Sequence, residues 1–205
     1  MLKYIVYLIL ILAVIGGAIG AFHLYRVSVK NKKEMSQYKN EEIVYNNNLG
    51  KVLVVYYSLS GHTKEIADKI VAKTNADIYE IKTIEEIKQN AKLHFTIKNQ
   101  LKNKNYPDIK KDFPNFEEYD VIFVGAPVWW YKPATPLFSF LNQADFQGKK
   151  VVPFSTQGSN VGTFEEDFKE NIKDAQILKY EKFNNLSKEY DKEVENKITT
   201  WLNEL

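Results

Sequence analysis

One thirteen-residue stretch, Lys51 to Thr63, constrains this chain more than any other. An apolar run, KVLVVYY, passes straight into SLSGHT, where hydroxyls surround a glycine. Val52 to Tyr57 are the β-branched and aromatic residues of a strand buried on both faces, as in a parallel sheet. A helix is expected to open behind Gly61. Amides at such a loop and at the start of a helix point toward an anion, and the helix dipole adds a favourable field. A phosphate fits that place. The loop lacks both the first glycine and the lysine of G-x-x-x-x-G-K-[ST], and no G-x-G-x-x-G follows a strand, so neither the nucleotide-hydrolase loop nor the dinucleotide fingerprint is present.

Two later segments repeat the pattern. Asp120 to Trp130, DVIFVGAPVWW, reads as a buried strand running into Gly125, Pro127 and two tryptophans, a place where large aromatic rings are normally hidden. Lys150 to Gly162, KVVPFSTQGSNVG, is a third strand leaving into hydroxyls, an amide and glycines. In an open parallel α/β sheet ligands bind beyond the carboxyl ends of the strands, at the point where the strand order reverses, so three such exits imply one shared crevice.

The loop Ser58-Leu-Ser60-Gly61-His62-Thr63 resembles the phosphate loop of the flavodoxin family, [ST]-x-T-G-x-T, with Ser60 at the central threonine. The resemblance covers Lys51 to Leu205, and the G-x-P-x-W-W pattern is similar to that of short bacterial flavodoxin-like proteins. It implies FMN as cofactor. On that basis Ser58, Ser60, Gly61, His62 and Thr63 are expected to hold the FMN phosphate. Pro127, Val128, Trp129, Trp130 and Tyr131 are expected to line the isoalloxazine ring, with Thr156, Gln157, Gly158, Ser159 and Gly162 closing its other side. Asn160, where related sequences often carry a small residue, departs from the pattern. The implied fold is α/β, a doubly wound five-stranded parallel sheet of order 2-1-3-4-5; the apolar N-terminal run, outside the resemblance, is expected to precede it as one transmembrane helix.

Composition narrows the alternatives. Lys51 to Leu205 carries 22 lysines, no arginine and 23 acidic residues, a formal charge of −1, so there is no basic excess to displace counterions and nucleic acid is not an expected partner. Without arginine there is no bidentate clamp for an NADPH 2′-phosphate. With no cysteine there is no disulfide, thiolate chemistry or cysteine-ligated cluster. His23, His62 and His94 share no metal-ligand spacing, and no metal is expected. The Ser58/His62 pair lacks the G-x-S-x-G context of a serine hydrolase. Two redox roles remain open, a carrier docking a redox partner protein and a reductase using NAD(P)H or a quinone-type acceptor. A flavin-free scaffold or sensor with the same fold, binding another phosphate ligand or none, is the third reading.

Residues 1–25 form an anchor, 26–50 a polar linker and 51–205 the single folded domain. Tyr4 to Phe22 is uncharged and spans about 28 Å as a helix, close to the hydrocarbon thickness of a bilayer. A cleaved signal peptide competes, since Ala18-Ile-Gly20 imitates a cleavage site. Lys3 and the amino terminus flank one end of the run, and Arg26, Lys30, Lys32 and Lys33 the other. The positive-inside rule therefore leans toward a cytoplasmic flavin domain, an extracytoplasmic one being the alternative. The linker is expected to be a flexible tether reaching about 25 to 30 Å, unless Lys30 to Tyr38 extends the membrane helix as a stalk. Oligomeric state is not legible in the sequence.

Beyond the first strand, the periodicity predicts helices at 62–74, 84–102, 133–142, 164–172 and 188–205, and strands at 77–82, 121–125, 150–155 and 176–183.

Overall fold

A computed structural model describes residues 2–39 and 42–205; Met1 of the anchor and Asn40 and Glu41 of the linker lie outside the described residues. A long helix α1 (Leu2–Met35) comes first. Then follow β1 (Val52–Tyr56), α2 (His62–Thr74), β2 (Asp77–Glu80), α3 (Leu93–Asn103), β3 (Val121–Trp129), β4 (Lys132–Pro133) and α4 (Thr135–Gln143). The chain ends with β5 (Lys149–Gln157), α5 (Phe164–Asn171), β6 (Ala175–Ile177), β7 (Glu181–Asn184) and α6 (Asp191–Asn203).

The sheet runs β2-β1-β3-β5-β6, with β7 also paired to β5 and β4 folded back on β3. All pairings are parallel except the β3–β4 hairpin. With β6 and β7 sharing the fifth place, this is the expected doubly wound order. Alternation along the strands supplies two cores. Leu53, Val55, Ile122 and Val124 pack with Leu137, Phe140, Phe164 and Phe168 of α4 and α5. Val54, Tyr56, Phe123 and Phe154 pack with Ile66 and Ile70 of α2 and with Ile198, Trp201 and Leu202 of α6. Such double-sided cover is what a sheet of nearly continuous apolar strands requires.

Several elements differ from the sequence expectation. The helix expected from Ile84 starts only at Leu93, because Thr83 pairs with Ile109 as an antiparallel bridge and Ile84 donates to the Asp108 carbonyl at 2.9 Å. Asn90 then turns the chain, its Oδ1 accepting the Lys92 N–H at 3.0 Å. The single last strand is broken between Ile177 and Glu181. There the Lys179 carbonyl accepts from Trp201 Nε1 at 2.9 Å, and Tyr180 turns to stack on Phe164 with ring centres 5.7 Å apart. The break lets Leu178 and Tyr180 pack against opposite cores.

The described residues of the linker are docked, in contrast to the flexible tether expected, and Lys30 to Tyr38 extends the helix as the stalk of the alternative reading. The helix continues to Met35, which is buried, and a 3₁₀ turn follows at Ser36–Tyr38. Asn196 of α6 holds the segment twice, donating to the Tyr38 carbonyl (2.9 Å) and accepting from the Ile43 N–H (3.1 Å). Asn203 of α6 accepts the Asn46 N–H at 3.0 Å.

Tyr56 is buried beneath α2, and burial, assisted by Glu80 and Asp68, pushes its hydroxyl up to about 12. It stays neutral in the folded chain where an unfolded tyrosine ionises near pH 10.0. Its contribution is therefore complete below that pH and is lost as pH rises toward 12. Urea midpoints are expected to fall across this window, with a shallower fall in Tyr56→Phe.

Candidate functional site

The site begins where β1 ends. Tyr57 donates its N–H to the Gly125 carbonyl at 2.9 Å, fixing the first loop beside the β3 exit. Burial pushes the Tyr57 hydroxyl well above the ordinary tyrosine range. Ser58 Oγ accepts the Gly61 N–H at 3.2 Å, so the loop closes on itself. Gly61 has φ +93°, and a Cβ there would meet no atom within 4 Å. Backbone conformation, more than space, therefore calls for glycine. The Glu65 N–H reaches the Gly61 carbonyl at 2.9 Å as the first turn of α2, leaving the earlier amides without helical acceptors. Lys64 is engaged with Asp68 at 2.6 Å. The donor set at the loop is thus amides and hydroxyls, suited to a phosphate without a lysine.

The second loop is a tight hairpin. Val128 pairs with Pro133 and Trp129 with Lys132, leaving Trp130 and Tyr131 as the two turn residues, with φ +51° and +64°. Two-residue hairpins with both central residues at positive φ match the strand twist, but they usually carry asparagine or glycine. For bulky side chains the left-handed region costs about 1–2 kcal/mol per residue. The surroundings hold them there. Thr163 donates its N–H to the Tyr131 carbonyl at 2.8 Å, and Lys132 Nζ grips both oxygens of Asp167 at 2.8 and 2.9 Å. Gly162 packs against this turn, and a Cβ on it would lie 2.0 Å from the Tyr131 oxygen. Lys132→Met is expected to lower stability by about 1 kcal/mol in a urea titration, since the pair is half-exposed, and to broaden the Trp130 emission as the turn loosens.

Two adjoining clefts open above the strand ends. One, of about 580 Å³, is lined by Leu59, Ser60, Asn90, Leu93, Pro127 and Trp129. The other, about 460 Å³, lies between His94 and Ile97 on one side and Val128, Trp130, Tyr131, Gly158 and Ser159 on the other. Leu93, His94 and Trp129 border both. Trp129 meets Tyr57 edge to face at 5.6 Å, and His94 meets Trp130 likewise at 6.1 Å. Lys98 Nζ sits 5.4 Å from the centre of the Trp130 ring. Apolar walls of this breadth beside an amide-rich phosphate loop fit a planar ring carrying a phosphate tail. A larger groove of about 840 Å³ runs along Phe95, Gln100 and Tyr106, and none of the residues singled out from the sequence lines it.

Some expected residues line these clefts and others support them. Ser60, Pro127, Val128, Trp129, Trp130, Tyr131, Gln157, Gly158 and Ser159 are cleft residues. Thr63 and Thr156 share a buried hydroxyl–hydroxyl bond at 2.7 Å, joining the first loop to the third strand. Gln157 is held by side-chain bonds, its Nε2 donating to Asn184 at 3.0 Å and its Oε1 accepting from Ser155 at 2.9 Å. His62 lies in a small pocket with Asn184 and Ser187. Asn160 Oδ1 accepts the Gly162 N–H at 2.9 Å, which shapes the third loop. Sequence reasoning missed the segment from Gln89 to Ile97, as well as Leu59. These residues carry no chemical signature. The available signal was topological, since the connection after any strand of a parallel sheet opens at its carboxyl end.

The flavodoxin family model matches residues 51–205. The chain belongs to the flavodoxin family. Among solved structures, it is 30% identical to a flavoprotein from Lactobacillus acidophilus NCFM in complex with FMN, with a TM-score of 0.59 and coverage of 64% of this chain and 92% of that one. A putative flavoprotein from Bacteroides eggerthii is 27% identical with a TM-score of 0.61, covering 75% of this chain and 96% of its own. One from Bacteroides uniformis is 25% identical, again at 0.61, with 75% and 97% covered. No curated protein matches the chain. This flavodoxin carries a helix long and apolar enough to cross a membrane, with mean hydropathy 2.7 in its most apolar window.

Proposed function

We propose that this flavodoxin binds FMN between its three strand-end loops and transfers electrons while tethered to a membrane by α1. The observation that carries the reading is the convergence of the Gly61 loop, through Leu59 and Ser60, the Trp129–Tyr131 hairpin and the Gly158–Ser159 loop on two adjoining clefts that share Leu93, His94 and Trp129. The FMN-bound relative from Lactobacillus supports the choice of cofactor. The first-turn amides of α2 and the hydroxyls of Ser58 and Ser60 would hold the phosphate. Trp129, Trp130 and Tyr131 would face the ring. FMN supplies the redox chemistry itself, and the chain's part is binding, orientation and exclusion of water.

The full chain purified in detergent is expected to be yellow and to release FMN on heating. A colourless preparation whose spectrum ignores added FMN would overturn the assignment in favour of a flavin-free scaffold. For the finer role we favour delivery to or from a membrane partner, with a quinone-type acceptor or a redox protein as the counterpart. Anaerobic mixing with NADH or NADPH reads this directly: rapid bleaching of the flavin establishes a reductase, and a stable oxidised spectrum a carrier. The positive-inside rule favours a cytoplasmic flavin domain. Protease accessibility in sealed cells checks that orientation.

A further inference from the structure

Three features meet at the end of the sheet where the cleft opens. The first is the exit of α1. Followed back from the domain toward the apolar span, the stalk is held at Glu34, whose carboxylate takes Lys197 Nζ at 2.6 Å and Asn184 Nδ2 at 3.3 Å. One turn further, Asn31 Oδ1 accepts from Asn184 Nδ2 at 2.8 Å. Asn184 is the last residue of β7, and its own oxygen accepts from Gln157 at the cleft. The helix therefore leaves the domain one side chain away from the cleft floor. From Asn31 to Phe22, where the uncharged run ends, is about 14 Å of helix. A bilayer's polar layer takes up about half of that.

The second feature is charge. Between Ile87 and Pro107 there are five lysines, Lys88, Lys92, Lys98, Lys102 and Lys104, and no acidic residue. All five are exposed, and none makes an ion pair among the described residues. This is the segment that walls the cleft through Gln89 to Ile97. On a domain of nearly zero net charge the segment itself is one-signed; of the acids that flank it, Glu85 and Asp108 lie along the separate groove beside Phe95. The third feature is aromatic. Trp130 is 46% exposed, Tyr131 59% and Phe95 79%; Lys98 Nζ lies over the Trp130 ring, and Phe95 lies within the lysine segment itself. Tryptophan and tyrosine with polar edges and apolar bodies suit the headgroup level of a bilayer.

We propose that this face rests on an anionic bilayer, with Lys88, Lys92 and Lys98 toward lipid phosphates and the exposed outer edges of Trp130 and Tyr131, whose other faces line the cleft, among the headgroups, so that redox partners reach the cleft from the membrane side. The proposal rests on the reading of α1 as a membrane span. An acidic protein would match the same charge, but the stalk sets the face against the membrane, and lipid is the occupant we assign.

The chain has no cysteine, so single reporters can be placed at will. The full chain carrying Ala91→Cys at the cleft mouth, or Lys173→Cys at the opposite end of the sheet, is labelled with a fluorophore. It is then reconstituted into phosphatidylcholine vesicles with or without phosphatidylglycerol, containing lipids with nitroxide headgroups. Quenching at position 91 is expected to exceed that at 173 several-fold, and only with phosphatidylglycerol. Changing Lys88, Lys92 and Lys98 together to glutamine should lower the ratio of docked to undocked domain by about a hundredfold, given the attraction of each lysine to an anionic surface. Resistance to alkaline washing reads the span independently. Chain that washes off removes the reading on which the proposal depends. Chain that stays embedded but shows equal quenching at the two sites, or no response to the triple change, overturns the membrane-facing orientation alone. Equal quenching together with binding of polyglutamate to the lysine face would replace lipid by an acidic protein.

Discussion

Trp201→Ala is expected to lower the unfolding free energy by about 3–5 kcal/mol, the range for emptying a large buried aromatic site. Trp201 is 1% exposed and meets Phe123, Phe183 and Phe154 at ring-centre distances of 5.4, 5.8 and 6.5 Å. Its indole N–H also satisfies the Lys179 carbonyl inside the break between β6 and β7. The substitution thus opens a cavity and strands a carbonyl together. A typical domain has only about 5–15 kcal/mol of stability in all, so this loss brings the variant near unfolding at room temperature. Urea titration followed by far-ultraviolet circular dichroism measures it. Trp201→Phe keeps most of the volume and is expected to lose markedly less. A midpoint for Trp201→Ala close to that of the parent would show that α6 does not close the second core as described.

Gly162→Val should act on the ligand site. The φ of +57° is unfavourable for a β-branched residue, and the added carbon would overlap the Tyr131 carbonyl and Cβ at 2.0 and 2.4 Å. Relief requires the third loop and the Trp130–Tyr131 turn to separate, breaking the bond from the Thr163 N–H. FMN affinity, measured by quenching of flavin fluorescence, is expected to fall tenfold or more, since each factor of ten needs only about 1.4 kcal/mol. Far-ultraviolet dichroism should be nearly unchanged, because the strain is confined to surface loops. Unchanged affinity would detach the hairpin from the ring site.

The parts of this fold that were readable in the chain are those written in residue type. Val52 to Tyr57 and Val121 to Gly125 could hardly be anything but interior parallel strands, and the glycine, hydroxyl and tryptophan clusters after them marked the strand exits. What remained hidden depended on distant partners. Nothing local in IEEIKQNAK says that Thr83 will pair with Ile109 and delay α3 by about two and a half turns. Likewise the break at Leu178–Tyr180 exists because Trp201, Phe164 and Ser155 take up the groups that a continuous strand would have turned elsewhere. The tether expectation failed for the same reason: the linker's few apolar residues, Met35, Tyr38, Tyr45 and Leu49, suffice to dock it once α6 offers a surface and amide side chains to receive it. At the site, residue type located the cleft but not the direction of each side chain. Thr63 and Thr156 turned to each other, and His94 and Leu93 joined the walls unannounced.

The short last strand has a consequence for how neighbouring copies of the chain can meet. An outer strand whose outward amides are bare is a template on which another chain can add itself. In β7 the outward groups of Lys182 are both occupied by side chains, its N–H by Glu181 at 2.9 Å and its carbonyl by Lys197 Nζ at 2.6 Å. A neighbouring copy therefore finds neither backbone group of Lys182, midway along β7, free to start a ladder there.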